Sequence, residues 1–69
     1  MEILVFKTNL TDLQRISDVE PSLDIHPGIH RWNVDLHDRD YILRVVSMNI
    51  AGSEIEQLLA SAGYYCEEL

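Results

Sequence analysis

The stretch Ile29–Ser47, IHRWNVDLHDRDYILRVVS, decides how this chain folds. From Trp32 onward it alternates, with Trp32, Val34 and Leu36 on one face and Arg31, Asn33 and Asp35 on the other. A period of two with one apolar face marks a half-buried strand over Ile29–Leu36. The polar run His37–Asp40 reads as a turn, and Tyr41–Ser47 as the partner strand of a hairpin. If that partner buries Leu43 and Val45, it turns Ile42, Arg44 and Val46 to the opposite side.

On the N-terminal side, Glu2–Thr8 (EILVFKT) is a short β-branched and aromatic run with apolar residues on both faces, which suits a central strand. Lys7 is costly to bury unpaired, so Leu4 and Phe6 are expected to point inward and Ile3 and Val5 outward. Leu13, Ile16, Val19 and Leu23 follow at helical spacing. Thr11 with Gln14 reads as a capping box, and Asp12 suits the positive end of the helix dipole. Pro21 falls inside that pattern, where it predicts a bend or an early stop near Val19–Glu20, with a further turn reaching Leu23. His26–Gly28 is a connection.

Beyond the hairpin, Gly52–Gly63 carries Ile55, Leu58, Leu59 and Ala62 on one helical face. Ser53 with Glu56 forms a second capping pattern, and Gly63 is a natural C-terminal stop. Tyr64–Leu69 is a last strand. The order β-α-β-β-α-β predicts an α+β sandwich: a four-stranded antiparallel sheet, order 4-1-3-2, with two helices on one face. The other face then has no cover.

Composition narrows the function. A chain of 69 residues is one domain, 1–69, with a thin stability margin. Twelve acidic against five basic residues give a formal charge of −7, which argues against nucleic acid. No apolar run approaches the roughly 20 residues of a membrane span. Met1-Glu2 lacks the basic start of a signal peptide. Cys66 stands alone, so no internal disulfide forms and a reducing, cytoplasmic setting is expected. No nucleophile–base pair or Gly-rich phosphate loop stands out; the protein is expected not to be an enzyme and to need no cofactor.

With those elements in place, PGIHRWNVDL (Pro27–Leu36) and AGYYCEEL (Ala62–Leu69) resemble the heavy-metal-associated domain of copper chaperones and P-type ATPase tails. Gly28-Ile29 looks like that family's Gly-Val start of its second strand. Gly63-Tyr64 is similar to its Gly-Tyr/Phe ending, with Cys66 where a small residue such as Ala is common. The resemblance implies a ferredoxin-like fold and a metal loop of the pattern Met-Thr-Cys-x-x-Cys on Leu10–Arg15. Leu10 takes the Met place, Thr11 keeps the Thr, and Asp12 and Arg15 stand at the two Cys positions. The loop reads as one residue longer than the family's. Soft thiolates hold Cu(I) or Zn(II) in such loops, whereas Arg is permanently protonated and cannot ligate. The former metal loop is therefore expected to hold no metal. Asp12 and Arg15 read either as an exposed i,i+3 ion pair or as a polar recognition spot.

Other sites are weaker. His26 and His30 are separated by Pro27-Gly28 and share no helical face; with His37 they read as surface histidines. Asp35, His37, Asp38 and Asp40 form an acidic hairpin tip without the shaped loop a calcium site needs. Cys66 reads as a small core residue beside Glu67 and Glu68, which raise a thiol's pKa. The open face predicts an apolar centre of Ile3, Val5, Ile42, Val46 and Tyr65, rimmed by Lys7, Arg31, Arg44, Asp35 and Glu67. Such a patch suggests a protein interface or a homodimer, unless long rim side chains cover it. The reading is a binding or adaptor module. Its alternatives are a metal carrier with unorthodox ligands and a small-molecule-sensing domain of the same topology.

Overall fold

The computed structural model describes residues Met1–Leu69. Its elements are β1 (Glu2–Thr8), α1 (Leu13–Ile25), β2 (Ile29–Asp35), β3 (Ile42–Ser47), α2 (Gly52–Ser61) and β4 (Cys66–Glu68). The strands form one sheet in the order β2-β3-β1-β4, with every pairing antiparallel. This is the predicted α+β, ferredoxin-like arrangement. The hairpin pairs Arg31 with Val46, Trp32 with Val45, Asn33 with Arg44, Val34 with Leu43 and Asp35 with Ile42, after an irregularity between Ile29 and Arg31.

The alternation of β1 and β3 places Leu4, Phe6, Leu43 and Val45 under the helices, where they meet Val19, Leu23, Ile55 and Leu59. Leu10 and Ile50, from the segments leading into the two helices, close the ends of this core. Leu4 and Phe6 are inward as expected, and Ile3 and Lys7 are exposed. Gly28 is needed where it stands, because an added Cβ would lie 2.6 Å from the Ile50 side chain and 3.2 Å from the Met48 carbonyl.

Several local expectations change. α1 is capped by Asp12, whose Oδ1 accepts from the Arg15 N–H at 2.9 Å, so the Thr11–Gln14 box is displaced by one residue. Asp is at least as good a cap as Thr, and its reach to the third helical residue satisfies the same orphan donor. The helix does not stop near Val19–Glu20 but runs through Pro21 to Ile25. Val19 and Leu23, on either side of Pro21, are both fully buried, and their packing outweighs the lost backbone bond. Leu13, assigned to the buried face, is the first helical residue and is 74 % exposed. α2 begins at Gly52, two residues too early for Ser53 to cap it; Glu54 reaches back to the Ala51 N–H, and Glu56 accepts instead from the Glu68 N–H at 2.9 Å. The Gly63 stop holds: its φ of +91° completes a Schellman turn, with Gly63 N–H to the Ala60 carbonyl and Tyr64 N–H to the Leu59 carbonyl.

Candidate functional site

The strand alternation that buries Leu4 and Phe6 also buries Thr8, the last residue of β1. A buried hydroxyl must find partners. The Thr8 Oγ1 donates to the Tyr41 carbonyl at 2.5 Å and accepts from the Leu10 N–H at 3.1 Å, while the Thr8 N–H reaches the Asp40 carbonyl at 3.1 Å. These bonds tie the β1–α1 loop to the β2–β3 turn. Leu10 is then fully buried, and Thr11 is exposed.

At the mouth of the loop, Arg15 Nε lies 4.0 Å from Asp12 Oδ2, and Arg15 Nη1 donates to the Asn9 carbonyl at 3.3 Å. Both side chains remain substantially exposed. The guanidinium thus lies over the loop, between the Asp12 carboxylate and the Asn9 carbonyl. Asn9 Oδ1 accepts from the Tyr65 N–H at 2.9 Å. The Tyr64 hydroxyl donates to the Asp18 carboxylate, a bond that raises the Tyr64 pKa. Sequence reasoning missed Thr8, Asn9 and Tyr64 as loop anchors. Only Thr8 left a signal, its parity with Leu4 and Phe6.

The other candidate groups do not converge, and nowhere do three or more His, Cys, Asp or Glu side chains meet as a metal-ligand group. His26 Nδ1 accepts from the Gly28 N–H at 3.1 Å, and its Nε2 faces Glu54 at 3.6 Å across the helix layer. His30 and His37 are exposed. In the hairpin turn the acids serve the backbone: Asp35 accepts from the His37 N–H and Asp38 from the Asp40 N–H. Lys7 pairs with Asp40 at 3.8 Å. Cys66 packs half-buried against the core, and burial, helped by Glu56 and Glu68, pushes its thiol up to about 12. The donors at the loop fit a soft metal ion poorly: one carboxylate already spent on a helix cap, beside a fixed positive charge.

The uncovered sheet face is organised in cross-strand rows. Arg31, Val46 and Ile3 form one; Asn33, Arg44 and Val5 the next; Asp35 with Ile42, then Lys7 with Glu67, the third. This divides the expected apolar centre. Ile42 is only 5 % exposed, since the charged residues of its row and the Lys7–Asp40 pair stand around it, so it is not available to a partner. Tyr65 is exposed but sits beside Asn9, its hydroxyl donating to Glu67 at 3.0 Å. Along β1 that is roughly 20 Å from Ile3, at ~3.3 Å per residue. Ile3, Val5 and Val46 remain together, and a hollow of about 330 Å³ opens among Ile3, Arg31, Trp32, Asn33, Arg44 and Val46.

No protein-family model and no curated protein sequence matches this chain. Solved structures do. The yeast copper transporter domain Ccc2a, studied in apo and Cu(I)-loaded states, superposes with a TM-score of 0.85 at 15% identity, over 100% of this chain and 96% of that one. The first domain of the human copper chaperone for SOD1, in a copper(I)-loaded form, gives 0.78 at 23% identity over 96% and 89%. A chain of the Atx1–Cu(I)–Ccc2a complex gives 0.84 at 15% over 100% and 96%. The chain therefore has the fold of these copper chaperone and transporter domains, and with one cysteine in its whole sequence it has no Cys-x-x-Cys pair to place on that fold.

Proposed function

We propose that this chain is a non-enzymatic binding or adaptor module: a heavy-metal-associated frame whose metal loop no longer takes metal, acting through a protein partner. The observation that carries the reading is Arg15. Its guanidinium is paired with Asp12 and bonded to the Asn9 carbonyl, so a positive charge already spans the loop where a cation would be held. Asp12 is committed as the α1 cap. The Atx1–Cu(I)–Ccc2a complex supports a partner-binding role, as a case of this fold engaged with another protein. The uncovered sheet face is the surface assigned to the partner, and the free Cys66 suits a reducing, cytoplasmic setting.

The test is a titration of Cu(I) and of Zn(II) against a competing chelator. The expected result is no stoichiometric complex at nanomolar affinity for either ion. A stoichiometric nanomolar complex overturns the reading in favour of a metal carrier.

A further inference from the structure

We propose that the hollow on the uncovered sheet face is a docking site for an acidic peptide segment that carries one apolar side chain between its carboxylates. The proposal rests on the partner-binding reading and names the partner's chemistry. Arg31 stands opposite Val46, and Arg44 opposite Asn33, so the two arginines are diagonal neighbours on one sheet face. Such neighbours lie about 7–8 Å apart at Cβ. Both are exposed, and neither lies within 4.0 Å of a carboxylate, whereas Lys7 and Arg15 are each paired with an aspartate.

That arrangement is unusual for this chain. Acidic residues outnumber basic ones twelve to five, yet two of the five cations stand together without a counter-ion. Beside them lies an apolar floor: Val46, opposite Arg31 and on the same strand as Arg44, and next to it Ile3, 68 % exposed. Guanidinium groups bind carboxylates through paired donors in a fixed fork, so two of them specify two acids, and the floor specifies what stands between. A second copy whose two-fold axis runs through the hollow is a poor occupant, because it sets each arginine pair against the same pair of its mate.

The probe is the peptide Ac-Glu-Asp-Leu-Asp-Glu-NH2, titrated into the full chain and followed through backbone amide shifts. Its controls are Ac-Gln-Asn-Leu-Asn-Gln-NH2 and Ac-Lys-Lys-Leu-Lys-Lys-NH2. Shifts are expected at Arg31, Asn33, Arg44 and Val46, weakening as salt rises. Arg31→Ser with Arg44→Ser should lower the affinity about tenfold, the scale of two exposed charge pairs. Arg31→Glu with Arg44→Glu should lose the acidic peptide and gain the lysine peptide while keeping a dispersed, folded spectrum. Equal binding of the neutral peptide at these amides overturns the charge assignment and leaves the sheet face as a partner surface. Acidic-peptide shifts confined to another face overturn this site, and shifts at the Asp12–Arg15 loop move the partner surface itself. No response to any peptide at millimolar concentration overturns the proposal.

Discussion

Two buried hydroxyls carry opposite expectations. Thr8 Oγ1 serves both the Tyr41 carbonyl and the Leu10 N–H, and Thr8→Val leaves those backbone groups unpaired inside the fold. The loss should be about 1–3 kcal/mol in urea unfolding, although the side chain keeps its shape and the strand its propensity. Ser47 is also fully buried, but its Oγ has no hydrogen-bond partner. Ser47→Ala removes an orphaned polar atom and should leave stability equal or raise it by up to about 1 kcal/mol. Cys66 adds a pH dependence. Its thiol is raised from an ordinary 9.0 to about 12, chiefly by burial, so the folded state resists ionisation that the unfolded chain undergoes freely. The stabilisation is complete below pH 9 and is lost as pH rises from there toward 12. Unfolding midpoints of wild type and Cys66→Ala, compared at pH 8 and pH 10, should therefore converge or cross, with the wild type losing ground.

At the scale of elements, α1 holds a residue it would be better without. Pro21 lies inside the helix, is exposed, and cannot donate to the Ser17 carbonyl one turn back. Pro21→Ala should stabilise the protein by about 1–3 kcal/mol, less whatever entropy proline removes from the unfolded chain. Conversely, Asp12→Ala removes the cap and should cost about 1 kcal/mol. Unchanged urea midpoints would count against each in turn. The same helix shows what was legible beforehand. Hydrophobic spacing located the core residues Val19, Leu23, Ile55 and Leu59, and the period of two located the hairpin and the inward face of each strand, because burial is a strong, repeated signal. Caps were less legible: Thr11 and Asp12 are both competent, and one residue of helix start separates them. The open face was half legible. Alternation assigns Ile3, Ile42, Val46 and Tyr65 to one side of the sheet, but it contains no coordinate along the strand. Only pairing register separates Tyr65 from Ile3 and encloses Ile42 among Asp35, Lys7 and Asp40. The Arg15 bond to the Asn9 carbonyl left no sequence signal, since it depends on the loop's path.

For the whole molecule, the charge balance decides between a partner and a second copy. The domain measures 28 × 20 × 17 Å, so at about 0.01 M salt, where the screening length is roughly 30 Å, its net charge of −7 acts across its full width. Two copies meeting through the sheet faces would face that repulsion at close range. The exposed apolar area available in return is small once Ile42 is enclosed and Tyr65 lies at the far end. The protein should therefore sediment as a monomer at low salt. Val46→Glu probes the same balance, because Val46 is half-buried on central β3, in one row with Arg31 and Ile3. A glutamate there meets two guanidinium groups that lack counter-ions, so stability should change by less than about 1 kcal/mol. It should also supply the carboxylate that the site would take from a partner, and so abolish acidic-peptide binding while the monomer persists. A wild-type dimer at low salt that Val46→Glu dissociates would reassign this face to self-association, because it would mean that apolar contact at Ile3 and Val46 outweighs the field of the whole domain.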